Sequence, residues 1–187
     1  MKKELLIITA LETELKPELI PHGIDILYTG IGKINAAMTT YRAIAKYQPT
    51  RIVNFGTAGK ITPHLEGLIE IGRVIQRDMN AEPLAPRGKT PFSSDPIEYQ
   101  SIGGQYRCGT GDSFVNAKDE WLLHQKVDVV DMELFAIAAV AHHHQIPWQS
   151  FKYITDEADE ESGKNWQERV HHGQELFLNK LQELLNK

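Results

Sequence analysis

Along the chain, short apolar runs rich in β-branched residues alternate with longer stretches in which apolar positions recur every three to four residues. The short runs predict strands at 4–10, 24–29, 51–56, 68–77, 105–109, 127–131 and 148–154. The longer ones predict helices at 33–47, 132–145 and 165–186. In the first helix Ile34, Ala37, Met38, Tyr41, Ile44 and Ala45 share a face, and in the last Trp166, Val170, Phe177, Leu181, Leu184 and Leu185 do. Strands alternating with helices in this way predict βαβ units around a mainly parallel sheet. The stretch 78–104 breaks the pattern: it carries Pro83, Pro86, Pro91 and Pro96 and has no helical period. Such a segment is a plain surface excursion or a functional or interface loop, and the sequence admits both. With no repeats, low-complexity tracts or linker composition, residues 1–187 read as a single domain.

Composition narrows the class. The chain has 187 residues, 41% hydrophobic and 24% charged, with a net charge of −5, enough to build a sizeable core without covalent staples. Cys108 is the single cysteine, so no disulfide framework exists and the composition fits a reducing cytoplasm. The start, MKKELLIITALETEL, reads as a buried strand rather than a signal peptide, because Glu12 and Glu14 follow the apolar run and no small-residue cleavage site appears. Nowhere do about 18 apolar residues run together, which argues against a membrane span. Lysines and arginines are scattered under a negative balance, which argues against a nucleic-acid surface. A small-molecule enzyme or binding module remains.

Candidate chemistry gathers at strand ends. Glycines cluster at Gly30–Gly32, Gly56–Gly59 and Gly109–Gly111, where they serve the close approach of a ligand or a tight turn. None of the three completes a dinucleotide or phosphate-binding loop. Glu12 and Glu14 follow the first strand, Glu133 follows VDVVD, and Asp156 ends WQSFKYIT, so carboxylates from distant parts of the chain reach one sheet edge. That is what acid–base chemistry needs, although for Glu12 and Glu14 a first helical turn is the competing reading. His142, His143 and His144 point about 100° apart on a helix and so read as a solvated helix end rather than a metal site. Cys108 reads as a small buried residue, and Trp121, Trp148 and Trp166 as core. No cluster calls for a metal or an organic cofactor.

Taken together, ITALETEL (8–15), TGIGKINAA (29–37), NFGTAG (54–59), TGDSFV (110–115), VVDMELFAIA (129–138) and YITDEAD (153–159) resemble the nucleoside phosphorylase/nucleosidase family, and within it the 5′-methylthioadenosine/S-adenosylhomocysteine nucleosidase branch. The likeness runs through the chain except at 78–104. It implies a three-layer α/β/α fold with a central mixed, mainly parallel sheet, and cleavage of the bond between a purine and a ribose. By position, Asp156 would protonate or hydrogen-bond N7 of the base and Glu14 would orient the attacking water. Glu133 would hold the ribose hydroxyls, with Met132 beneath the sugar; Phe114 and Val115 would form the base pocket; Thr57 and Gly59 would line the same cavity. Thr155 stands where the branch has serine and Lys152 where it has arginine, both as substrate-binding positions. The chemistry suits these types, since a purine leaving group needs an acid and a cationic sugar transition state needs negative charge.

Phosphorylases of the resembled family carry a Gly-Asp-Pro loop and a nearby arginine for phosphate near the N-terminus. Here that place reads ITALETEL, acidic and without arginine, so water is favoured as nucleophile. A phosphate-dependent phosphorylase is the alternative, and a nucleoside-binding module that has lost turnover a third. The resemblance further implies a homodimer in which the loop 78–104 contributes to the partner's pocket.

Overall fold

A computed structural model describes residues 4–117 and 119–186. Eight strands and five helices follow in the order β1 (Leu5–Thr9), β2 (Asp25–Tyr28), α1 (Lys33–Tyr47), β3 (Arg51–Lys60), β4 (Leu68–Gln76), β5 (Glu98–Gln100), β6 (Tyr106–Thr110), α2 (Glu120–His124), β7 (Val129–Asp131), α3 (Leu134–His143), β8 (Trp148–Asp156), α4 (Ser162–Arg169) and α5 (Gln174–Leu185). Seven of the strands and α1 follow the apolar pattern; β5 and α2 are too short to show a period.

β1 lies between β2 and β3, parallel to both. β3 also runs parallel to β8, and β6 runs parallel to β4 and β7, while β4 is antiparallel to β5 and β8. The sheet is therefore mixed and mainly parallel. It is also closed. The end of β3 turns onto β7, pairing Gly59 with Val130 and Lys60 with Val129 in antiparallel register, so that β3, β8, β4, β6 and β7 form a barrel-like ring. The physical reason is the length of β3: its first half pairs with β1, and past a register shift at Ala58/Gly59 its end is free to bend toward β7. Residues 57–60 thus extend the strand beyond the 51–56 that the pattern predicts.

Strands β1 and β3 are buried on both faces, which is why they read as unbroken apolar runs. Leu6, Ile8 and Ile52 face α1 and α3, whereas Leu5, Ile7, Val53 and Phe55 face Phe177, Leu181 and Leu184 of α5. Two helical expectations need correction. α1 buries Ala36, Thr40, Ala43 and Ile44 and leaves Ile34, Met38 and Tyr41 exposed, because its small residues make the close approach to α3. The C-terminal helix is broken into α4 and α5 at Gly173, which lies so close to Tyr153 that an added Cβ would come within 2.5 Å of that side chain. Among the described residues no helix is long and apolar enough to cross a membrane.

Candidate active site

The ends of β1, β3, β6, β7 and β8 converge on a cavity open to solvent, and strand ends of an α/β sheet are where small molecules bind. Glu14 enters it from the turn after β1, Thr57 and Gly59 from β3, and Thr155 and Asp156 from the end of β8. Phe114 and Val115 come from the turn after β6, and Met132 and Glu133 from the step between β7 and α3. Glu12 is exposed and takes no part, so the two N-terminal acids separate, and neither lies in a helical turn. Lys152 lies behind the wall rather than on it: its ammonium is buried against Asp131 at 2.8 Å.

Glu14 is 4% exposed and held as an acceptor from five directions. Oε2 accepts from the Thr9 hydroxyl and the amides of Ala10 and Leu11, each at 3.1 Å. Oε1 accepts from the amide and hydroxyl of Thr57 at 2.9 and 2.8 Å. The Thr57 hydroxyl in turn accepts from the indole N–H of Trp166 at 2.8 Å, so α4 is tied through β3 to the N-terminal acid.

Asp156 accepts from the Thr155 hydroxyl at 2.8 Å and the Ala158 amide at 3.0 Å. It reaches the cavity across Gly59, whose missing side chain leaves the room it occupies. Glu133 accepts from the Gly32 amide at 2.8 Å, just before the first turn of α1. Burial and the neighbouring Asp131 push its carboxyl up to about 8, against the pull of Lys152 and the Gly32 amide. Burial also opposes charge on Asp131, but Lys152, the Thr110 hydroxyl and the Leu134 amide hold that carboxyl below its ordinary value. Lys152 in turn is held above its own by Asp131 and Glu133 despite burial. Asp131 is therefore the charged member of the pair and Glu133 the reluctant one.

Arg77 and Trp166 are among the wall residues that the sequence reading missed. Arg77, at the end of the apolar run before the proline-rich segment, is 5% exposed and lines the cavity. Its guanidinium donates to the Gly111 carbonyl at 2.9 Å and to the Ser113 carbonyl. Trp166, assigned to the core by its helical spacing, lines the cavity with its ring 6.5 Å from that of Phe114. The remaining candidates are peripheral. His142, His143 and His144 are exposed at the end of α3, where His142 meets Tyr99, His143 meets Asp95 and His144 meets Tyr41. Cys108 is buried beside Asp131, and burial pushes its thiol well above the ordinary value.

A closed mixed sheet with an acid-lined cavity at its strand ends defines an α/β protein. The family profile described as the phosphorylase superfamily matches residues 22–187, and the chain belongs to that superfamily. Among curated relatives it is similar to the 5′-methylthioadenosine/S-adenosylhomocysteine nucleosidase of Bacillus thuringiensis subsp. konkukian, 26% identical over 201 residues covering 90% of this chain and 85% of the relative. The nucleosidase of the same name from Bacillus cytotoxicus is 27% identical over 170 residues, 79% of this chain and 74% of its own. Among solved structures, a mutant Helicobacter pylori enzyme with 5′-methylthioadenosine in its active site superposes with a TM-score of 0.88 at 22% identity, covering 100% of this chain and 99% of the other. The native futalosine hydrolase of Helicobacter pylori gives 0.87 at 21% identity, covering 98% and 97%. At these identities the structural likeness establishes the shared fold.

Proposed function

We propose that the protein is a nucleosidase that hydrolyses the N-glycosidic bond of an adenine nucleoside with a substituted 5′ carbon, 5′-methylthioadenosine, S-adenosylhomocysteine or a close relative. The observation that carries this reading is the convergence of Glu14, Glu133 and Asp156, from three distant parts of the chain, on one cavity. Asp156 stands at the base end as the group that protonates or hydrogen-bonds N7. Val115 supports a base-reading role by lining the cavity in the turn after β6. Glu133 holds the ribose hydroxyls with Met132 beneath the sugar. Glu14 orients the water, pinned by its five donors at a fixed position in the wall, with Thr57, Gly59 and Thr155 shaping the space around it. Lys152 acts through Asp131 and not by direct contact.

Water is favoured over phosphate by the charges in the wall. Glu14, Asp131, Glu133 and Asp156 line it, and the single cation there, Arg77, directs its donors to the carbonyls of Gly111 and Ser113. A wall lined by carboxyl groups, whose lining cation is already spent on backbone carbonyls, offers a phosphate dianion no cationic partner. Incubation with a panel of nucleosides, with and without phosphate, tests the reading: adenine should be released from 5′-methylthioadenosine in the absence of phosphate. Strict dependence on phosphate would establish a phosphorylase, and binding without release a nucleoside-binding module.

In architecture we read three layers, α1 and α3 on one face of the sheet and α5 on the other, supported by the separate cores that these helices form against β1 and β3. We also read a cytoplasmic homodimer. Ile34, Met38 and Tyr41 form an exposed apolar stripe on α1 next to Ile31 at the cavity, and Leu84 and Phe92 stand exposed on the loop 78–104. A second copy would cover such a patch. Light scattering that found only monomer at micromolar concentration would remove the dimer.

A further inference from the structure

Arg77 is a buried cation that no carboxylate pairs with among the described residues, and its interactions fall on one short turn. Nη2 donates to the carbonyls of Gly111 and Ser113, and Nη1 to the Ser113 hydroxyl at 3.3 Å. The path of the side chain is built into the sequence. It runs over Gly109 and Gly111, where an added Cβ would lie 3.6 Å from Arg77 Cβ and 2.9 Å from its Cζ respectively. The room at Gly111 that a strand-end motif offers to a ligand is here occupied by an arginine of the same chain. The backbone of Arg77 is fixed as well. Its amide donates to the Thr110 carbonyl at 2.8 Å, and its carbonyl accepts from Nε of Arg87 at 2.8 Å. Arg87 is itself held by Asp119 and by the Trp121 ring.

We propose that Arg77 is the positioning residue of the base-reading wall: its guanidinium, laid in the notch left by Gly111, holds the Gly111–Val115 turn from behind so that Phe114 and Val115 face the purine. This rests on the reading of those two residues as the base pocket. A buried guanidinium is costly unless its hydrogens are used. Both terminal nitrogens of Arg77 are spent on the turn, while among the described residues Nε has no partner. A planar fork spans two carbonyls in a way that the point charge of a lysine does not. Without that clamp the turn keeps the Ser113 amide bond to the Gly111 carbonyl and the Gly111 amide bond to the Asp131 carbonyl. Those bonds, with the Asp112 amide bond to Asp78 at 2.9 Å, hold its start. Beyond it Val115 keeps its apolar contacts with Ile61, Ile75 and Val130, but the backbone at Ser113, next to Phe114, loses its polar anchor. Glu14, Glu133 and Asp156 belong to other elements and are untouched, so the defect is confined to recognition of the base.

The test compares the full-length protein with R77K, R77Q and R77A, measuring the affinities of free adenine and of 5-methylthioribose by calorimetry, with thermal melts as a control of folding. Loss of charge-assisted bonds to the turn should weaken adenine binding in R77K and R77Q about ten- to a hundredfold, while 5-methylthioribose binding changes by less than about twofold. Added guanidinium ion should restore adenine binding to R77A. Adenine affinity that is unchanged, or that falls only in step with that of 5-methylthioribose, overturns the proposal. Adenine binding that guanidinium fails to restore in a folded R77A also overturns it. An unaltered protein that binds no purine would instead sink the nucleosidase reading, and this inference with it.

Discussion

Asp156 reaches the cavity through the space that Gly59 leaves empty: a Cβ on Gly59 would lie 2.4 Å from Oδ1 and 3.2 Å from Cγ of Asp156. The two residues are partners in the parallel pairing of β3 with β8, just past the register shift, so neither backbone can withdraw without disturbing the ladder. The carboxyl would have to rotate away and give up the Ala158 amide at 3.0 Å. G59A should therefore lose about a hundredfold or more of its turnover with Asp156 chemically intact, the effect expected when a general acid is displaced. Adenine release at wild-type rate from a folded G59A would show that the position of Asp156 does not matter.

D156N separates binding from chemistry. The asparagine retains a carbonyl oxygen to accept from the Ala158 amide, and its amide can donate to the Thr155 hydroxyl, which today donates to Oδ2 at 2.8 Å. Local structure and nucleoside binding should persist. An acid able to give its proton to the leaving base is gone, so the rate of base release should fall about 10²- to 10⁴-fold. Calorimetry with an adenosine analogue and a single-turnover assay read the two effects apart, and unchanged turnover would remove Asp156 from the mechanism.

How far the sequence discloses these relationships depends on whether they are local. The bounds of α1, 33–47, follow from its own apolar period, yet the buried face does not, because packing against α3 selects Ala36 and Ala43 over the larger Ile34 and Met38. The break before α5 arises from the contact of Gly173 with Tyr153, and the closure of the sheet from Gly59 and Lys60 meeting Val129 and Val130; both join residues far apart in the chain. Glu133 and Asp156 are legible because each follows or ends an apolar strand, whereas Glu14, in the turn beyond β1, is told from Glu12 only by the family resemblance. Arg77 is not legible, since a polar residue ending such a run reads as a strand terminus emerging into solvent, and only the glycine at 111 hints at what fills the notch. Trp166 sits at core spacing and is drawn toward the cavity by its hydrogen bond to Thr57.

That hydrogen bond supports a third prediction. The Thr57 hydroxyl accepts from the Trp166 indole and passes its only proton to Glu14, both at 2.8 Å. Valine at this position keeps the shape and the backbone bond to Glu14 but strands the indole N–H. T57V should lose about 1–3 kcal/mol of stability for the unsatisfied donor, with T57S close to wild type. Denaturant titration followed by tryptophan fluorescence measures it. Equal midpoints for all three proteins would mean that the chain of bonds contributes nothing to holding α4 against the site.

Glu133 makes the stability of the protein depend on pH in a definite direction. Burial and Asp131 raise its carboxyl from an ordinary 4.5 to about 8, so between those values the folded protein retains a proton that the unfolded chain has released. More protons bound in the folded state means that stability falls as pH rises. The contribution is complete below about pH 4.5 and is lost by the time pH has passed about 8. E133Q cannot ionise, yet its side-chain oxygen can still accept the Gly32 amide that Glu133 accepts at 2.8 Å. Thermal melts across that window should show the wild type losing stability relative to E133Q as pH rises, with the gap levelling off above about pH 8. Parallel curves would mean that Glu133 is ionised throughout, as a simple carboxylate on the ribose hydroxyls.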